Sequence, residues 1–271
     1  MSDTIDAIVL GLIQGLTEFL PVSSDGHLEL GRVVFGMSTE DNFLLNMVLH
    51  FATALSTIIV FRGNIWKLLK GLIAFKWNSE WRYGIKIVIA VIPIGILGFL
   101  FDDYVEALFG GKILLTGFML WLTAAFLIVA ERLKPVSTEY KEVNYWQAFL
   151  IGCAQTIAIF PGLSRSGCTI ATALALGVGK REATAFSFLI VLPPILGGVP
   201  IKVYKYWSQN GSAALSSAMS WQDMTIGALV AFLVGLLACS GMVRIVQNGQ
   251  LYGFAVYCIV LGAAAIFWAL K

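Results

Sequence analysis

Six stretches of this sequence run without a charge for close to the length of a bilayer crossing: Phe43–Phe61, Ile87–Phe101, Ile113–Ala130, Ala183–Ile201, Met224–Val243 and Leu251–Leu270. A helix needs roughly 20 mostly apolar residues to traverse a hydrocarbon core of about 30 Å. With 58% of residues apolar, 13% charged and a mean hydropathy of +0.84, the chain lies far from the soluble balance of about 45–50% apolar and 25% charged. The runs therefore read as spans of an all-α integral membrane protein. Eighteen Lys and Arg against sixteen Asp and Glu leave a formal charge of +2. That is too little to grip a nucleic-acid backbone, so this class of partner is excluded. Cys153, Cys168, Cys239 and Cys258 show no C-x-x-C spacing and read as small buried thiols. The opening MSDTID is acidic where a secretory leader is basic, so the first apolar stretch is expected to stay in the mature fold.

Between the first two spans lie Arg62, Lys67, Lys70, Lys76, Arg82 and Lys86 against the single acid Glu80. The positive-inside rule makes that segment cytoplasmic. Alternation then puts the acidic turn Asp102, Asp103 and Glu106 outside, Arg132, Lys134 and Lys141 inside, and Lys180 and Arg181 inside. Lys202 and Lys205 fall outside, Arg244 inside, and both termini outside. Trp66, Trp77, Trp81, Trp146, Trp207, Trp221 and Trp268 fall near the ends of runs, as an interfacial aromatic belt requires.

Two more apolar segments are too interrupted to span. Ala7–Gly36 is broken by the polar stretch Glu18 to His27, and Tyr145–Gly179 by Pro161 to Gly167. Arms of about 9 to 15 residues reach only about halfway across the core. They read as re-entrant helix hairpins, whose irregular backbone is tolerated at that depth only where protein buries it or a watery cavity solvates it. The breaks align at one constant offset: Gly11 falls on Gly152, Gln14 on Gln155, Phe19 on Phe160, Ser23 on Ser164 and Gly26 on Gly167. One hairpin followed by three spans, an odd number, inverts the second half relative to the first. The chain thus reads as a single membrane domain, residues 1–271, built of inverted repeats at about 1–135 and 142–271, with both breaks lining one cavity.

The chemistry sits in those breaks. Gln14 and Glu18, spaced i and i+4, share a helix face. A charge at membrane depth costs about 2.5–3.5 kcal/mol or more, which makes a functional site the default reading for Glu18. A carboxylate beside an amide is oxygen-only ligation, suited to Mg²⁺ or Ca²⁺. After Pro21, Ser23, Ser24 and Asp25 are N-cap types for the arm starting near Gly26, whose free amides and dipole face the break. Ser24 and His27 are near enough in sequence to serve as nucleophile and proton-transfer partner. His50, with Asn46 one turn earlier, reads as a buried hydrogen-bonded residue, a polar stripe facing the cavity being the alternative. In the second break Arg165 stands among Ser164, Ser166, Gly167 and Thr169, an anion cradle at a helix N-terminus whose guanidinium suits phosphate oxygens. A purely structural pairing of Arg165 with Glu18 competes with that reading. Together these groups suit phosphoryl transfer on a membrane-dissolved phosphate ester or diphosphate.

In these residues the sequence closely resembles the bacterial undecaprenyl-diphosphatase family, also called the bacitracin-resistance protein BacA family. Gln14-Gly-Leu-Thr-Glu18 matches its (E/Q)xxxE element, Pro21-Val-Ser-Ser-Asp-Gly-His27 its PVSSxGH, and Pro161-Gly-Leu-Ser-Arg-Ser-Gly-Cys-Thr169 its PGxSRSxxT. The likeness runs through essentially the whole chain. It implies a multi-pass enzyme of the bacterial inner membrane that hydrolyses undecaprenyl diphosphate to the monophosphate and inorganic phosphate at a site open to the outer face. Such an enzyme recycles the lipid carrier of peptidoglycan synthesis and confers bacitracin resistance. Gln14 stands where many relatives carry Glu, so a two-carboxylate metal site does not transfer unchanged. On this reading Glu18, helped by Gln14, positions a divalent cation on the diphosphate. Arg165 holds phosphate oxygens with Ser23, Ser164, Ser166, Gly167 and Thr169. Ser24 attacks the terminal phosphorus while His27 moves protons, a metal-bound water being the alternative nucleophile. The competing class is an inverted-repeat transporter or flippase for a phosphorylated lipid. Beyond substrate and membrane lipids, glycine-rich spans such as Leu251–Leu270 would let two copies pack closely as a homodimer.

Overall fold

A computed structural model describes residues 3–36, 43–101, 112–132, 142–210 and 219–271. Among the described residues every regular element is an α-helix. They are α1 Asp3–Thr17, α2 Ser24–Phe35, α3 Phe43–Val60, α4 Arg62–Ile73, α5 Ser79–Leu100 and α6 Ile113–Arg132. After these come α7 Tyr145–Ile157, α8 Arg165–Ala175, α9 Lys180–Ile190, α10 Leu192–Asn210, α11 Trp221–Asn248 and α12 Tyr252–Ala269. Six stretches are long and apolar enough to cross a membrane: α3, α5, α6, the α9–α10 stretch, α11 and α12. The chain is a multi-pass membrane protein. The acidic turn Asp102, Asp103 and Glu106, and the basic residues Lys134 and Lys141, lie outside the described residues.

Two spans differ from their expected outlines. Ala183–Ile201 is not one helix: it breaks at Val191 between α9 and α10. Pro193 and Pro194 follow at once; without N–H groups they cannot bond back to the carbonyls of α9, yet proline is tolerated in the first turn of a new helix. The expected Ile87–Phe101 undershoots, because α5 already begins at Ser79, where the Asn78 side chain accepts the Trp81 N–H at 2.8 Å. Glu80, Arg82 and Lys86 in its first turns hid that start. The basic segment before it is helical too. In α4 no residue is buried, and Lys67 reaches Glu80 of α5 at 3.6 Å. All four cysteines are free, three of them buried.

In a bilayer an apolar side chain gains little by exchanging lipid for a neighbouring helix, so close backbone approach decides packing. Gly11 of α1 rests on the carbonyl of Gly227 in α11, and Gly152 of α7 on the carbonyl of Ala90 in α5; a Cβ at either glycine would meet that backbone. These glycines are matched positions of the sequence repeat. The first arm of each broken segment therefore docks in the same manner. α6 packs against both α8 and α12, and the largest buried cluster joins Phe19 of the first break to Phe61, Phe186 and Phe188.

Candidate active site

Phe19 pins the first break from below, its ring edge-on to Phe188 at 5.7 Å, and Phe188 meets Phe61 at 5.8 Å. Past it the chain turns at Ser23, a non-glycine residue held at φ 71°, a left-handed conformation that costs about 1–3 kcal/mol and persists only where surroundings enforce it. The enforcing bonds are visible. Ser23 Oγ accepts the Gly26 N–H at 3.2 Å and the Gly162 N–H at 3.1 Å, and the Ser23 carbonyl accepts from His27 Nδ1 at 2.7 Å. In the second break Ser164 Oγ accepts the Gly167 N–H at 3.1 Å. The repeated S-x-x-G pattern is thus a pair of matched N-caps, on α2 and α8.

The breaks also grip each other. Besides the Gly162–Ser23 bond, Gly26 abuts the Cα of Gly162, which sits at φ 95° with no room for a side chain against the Thr116 carbonyl. From α6, Thr123 donates to the Gly162 carbonyl at 3.0 Å and accepts the Ser164 N–H at 2.9 Å. So clamped, Glu18 of one break and Arg165 of the other form an ion pair. Both line a cavity of about 940 Å³. Its lining includes the polar residues Glu18, Ser24, Asp25, Ser164, Arg165 and Ser166 and the apolar residues Ile94, Ala158, Ile159, Pro194 and Ile195. It extends past Asn46 and Arg32, which bond to each other, to Phe43 at the start of α3 and to Lys202, Lys205 and Tyr206 on α10.

Glu18 is the hub. Its Oε2 accepts from Ser24 Oγ at 2.7 Å and from Gln14 Nε2 at 3.0 Å, while Oε1 faces Arg165. His50 Nε2 lies 3.4 Å from Asp25 Oδ1 and 4.0 Å from Glu18 Oε2, and its Nδ1 is 2.9 Å from the Asn46 carbonyl. Both ring nitrogens thus face oxygen atoms, one of Asp25 and one of the α3 backbone.

Several expected site residues take other places. Ser24 meets Glu18 but not His27, whose Nε2 is 2.7 Å from the Tyr257 hydroxyl and whose ring stacks on Tyr257 at 5.6 Å, outside the cavity lining. One turn on from Ser23, His27 closes the cap and points toward α12. Gln14 stands behind Glu18, donating also to Thr53 at 3.4 Å, and does not line the cavity. Thr169 turns away, donating to the Arg165 carbonyl at 2.8 Å and meeting Ser187 Oγ at 2.5 Å, and the Gly167 amide is spent on its cap. His50 is hydrogen-bonded, as expected, and with Asn46 it also lines the cavity; the 4-residue spacing of the two on α3 was the available signal. Asp25 as the partner of His50, and Thr123 as clamp, had no such signal; a lone Thr in an apolar run is mute.

Among the described residues no three His, Cys, Asp or Glu side chains converge into a cage for a metal. Glu18, Asp25 and Ser24, which line the cavity, carry only oxygen donors, the type that could hold a Mg²⁺ ion completing its shell with phosphate and water. Of the residues expected to hold a cation, Glu18 lines the cavity and Gln14 does not; Asp25 is the other carboxylate beside it.

Helices broken at matched points, caps at both breaks and an acid–guanidinium pair between them define an integral membrane protein with a polar-lined cavity inside its helical domain. The chain belongs to the family described as Bacitracin resistance protein BacA, which matches residues 7–264. It is 48% identical over 269 residues to an undecaprenyl-diphosphatase of Christiangramia forsetii, covering 98% of each chain. It is 46% identical over 262 residues to that of Bacteroides thetaiotaomicron, covering 97% of each, and 33% identical over 281 residues to that of Methanosphaera stadtmanae, covering 98% of each. The resemblance drawn from three short motifs thus extends along the whole chain.

Proposed function

We propose that this chain is a membrane phosphatase hydrolysing undecaprenyl diphosphate to undecaprenyl phosphate and inorganic phosphate, and so recycling a cell-wall lipid carrier and conferring bacitracin resistance. The observation that carries the mechanism is the Ser24 hydroxyl bonded to Glu18 at 2.7 Å beside Arg165, in a cavity lined by polar and apolar residues. Ser24 Oγ attacks the terminal phosphorus as its proton passes to Glu18, the bond to the bridging oxygen breaks, and the prenyl monophosphate leaves. Water then hydrolyses the phosphoserine and restores the hydroxyl. A guanidinium carries five N–H donors, more than one carboxylate oxygen uses, so Arg165 serves phosphate oxygens as well as Glu18, alongside Ser164 and Ser166. The proton-moving role read for His27 passes to His50, which faces both Asp25 and Glu18; His27 holds the Ser23 turn instead. Glu18 and Asp25 would hold a divalent cation, which when bound would supply charge neutralisation on the diphosphate.

The same reading takes the broken segments as re-entrant hairpins from opposite leaflets, supported by their matched caps and matched glycine docking. It places the cavity on the outer face of a bacterial inner membrane with both termini outside. In support, the cavity reaches the start of α3 and the far end of α10, whereas the basic segment from Arg62 follows the opposite end of α3.

Purified protein in detergent, given a short prenyl diphosphate, should release phosphate; a chelator should stop it, and Mg²⁺ or Ca²⁺ should restore it. A transporter would release none. Ser24→Ala should lose turnover and the phosphorylated intermediate together; near-normal turnover would shift the attack to a water.

A further inference from the structure

The repeat that contains Gln14 also contains Gln155, but only the Gln14 amide has a hydrogen-bonded Nε2, its Oε1 being without a partner. Four residues after Gln14 stands Glu18, which takes its N–H at 3.0 Å. Four residues after Gln155 stands Ile159, and no carboxylate replaces it. Gln155 is 1% exposed, and neither its Oε1 nor its Nε2 has a hydrogen-bond partner. It nonetheless lines the cavity. A buried primary amide unsatisfied at both ends is a standing cost that an apolar side chain of similar size would avoid, so packing does not explain it. A ligand does.

Its position says which part of the ligand. Ser24 and Glu18, on the first break, must reach the terminal phosphorus. Gln155 belongs to the other repeat, one turn before Ala158 and Ile159 on an arm that packs on α5 at Ala90, one turn from Ile94; Gln155, Ala158, Ile159 and Ile94 all line the cavity. A prenyl chain bound against those apolar residues would bring nearest to them the phosphate that the lipid keeps. Resting on the phosphatase reading above, we propose that Gln155 binds the lipid-attached phosphate of the diphosphate. Its Nε2 donates to a non-bridging oxygen, and Oε1 accepts from water on that phosphate. Gln155 then sets affinity for substrate and monophosphate product alike, with little effect on the chemical step.

The test compares wild type with Gln155→Leu and Gln155→Glu on farnesyl diphosphate, with farnesyl monophosphate and inorganic phosphate as inhibitors and thermal unfolding in detergent alongside. For Gln155→Leu, loss of a hydrogen bond to a charged group should raise KM, and the inhibition constant of farnesyl monophosphate, about tenfold or more. The inorganic phosphate constant and kcat should hold, and the melting temperature should stay or rise because an unsatisfied amide is gone. Gln155→Glu should raise both constants further by repulsion. An unchanged KM, a rise confined to inorganic phosphate, or a lower melting temperature with KM intact would each overturn the assignment. Wild type inert toward farnesyl diphosphate would instead bring down the phosphatase reading itself; an active wild type with an indifferent Leu variant removes only Gln155.

Discussion

A carboxylate with four polar neighbours is hard to replace, and Glu18 has Gln14, Ser24, Arg165 and His50 around it. Glu18→Gln should cut phosphate release by the roughly 10²–10⁴-fold typical of a lost general base. Arg165→Ala should do so through lost phosphate binding, with retained turnover in either variant contradicting its role. Breaking a buried ion pair typically costs about 3–5 kcal/mol, but this pair opens on a cavity that water can enter, so both variants should remain folded by thermal unfolding. Thr169 supplies the contrast. Its hydroxyl meets Ser187 rather than the cavity, so Thr169→Val should lower stability by about 1–3 kcal/mol, the cost of an orphaned buried partner. Its kcat/KM should match wild type; a raised KM would return Thr169 to the phosphate site.

At the level of helices and breaks, the same local device, a Ser cap three residues before a glycine, starts α2 and α8 and turns both first-turn ends toward one hollow. What joins them is Gly162. Its φ of 95° and its contact with the Thr116 carbonyl exclude a side chain. Gly162→Ala should therefore destabilise by at least the roughly 1–3 kcal/mol of a strained backbone position, and lower activity as well because Ser23 loses its second amide donor. A variant melting like wild type would show that the breaks are held by other contacts. The prolines after Val191 act at this scale too, dividing one apolar run into α9 and α10 and placing Pro194 in the cavity wall.

For the molecule as a whole, orientation is the property that decides access to substrate. With Ser208→Cys on α10 and Lys76→Cys in the basic segment, an impermeant maleimide applied to intact cells should label the first only, the second reacting after permeabilisation; the reverse pattern would place the cavity on the cytoplasmic side. Both positions are exposed. The membrane class, the positions of the two breaks and the pairing of an acid with an arginine across them were all legible in one chain. Uncharged length, interruptions and a repeat are linear properties, and a charge at bilayer depth needs a partner wherever the chain folds. Which histidine faces Glu18, which threonine clamps the loop and which glutamine is left without a partner at both amide atoms were not legible. Those outcomes turn on the rotation of a helix about its own axis, which is set by where Gly11 and Gly152 let neighbouring backbones touch. Residues a single turn apart, such as Ser24 and His27, then end on opposite sides of the same wall, because only the packing of separate helices chooses a face.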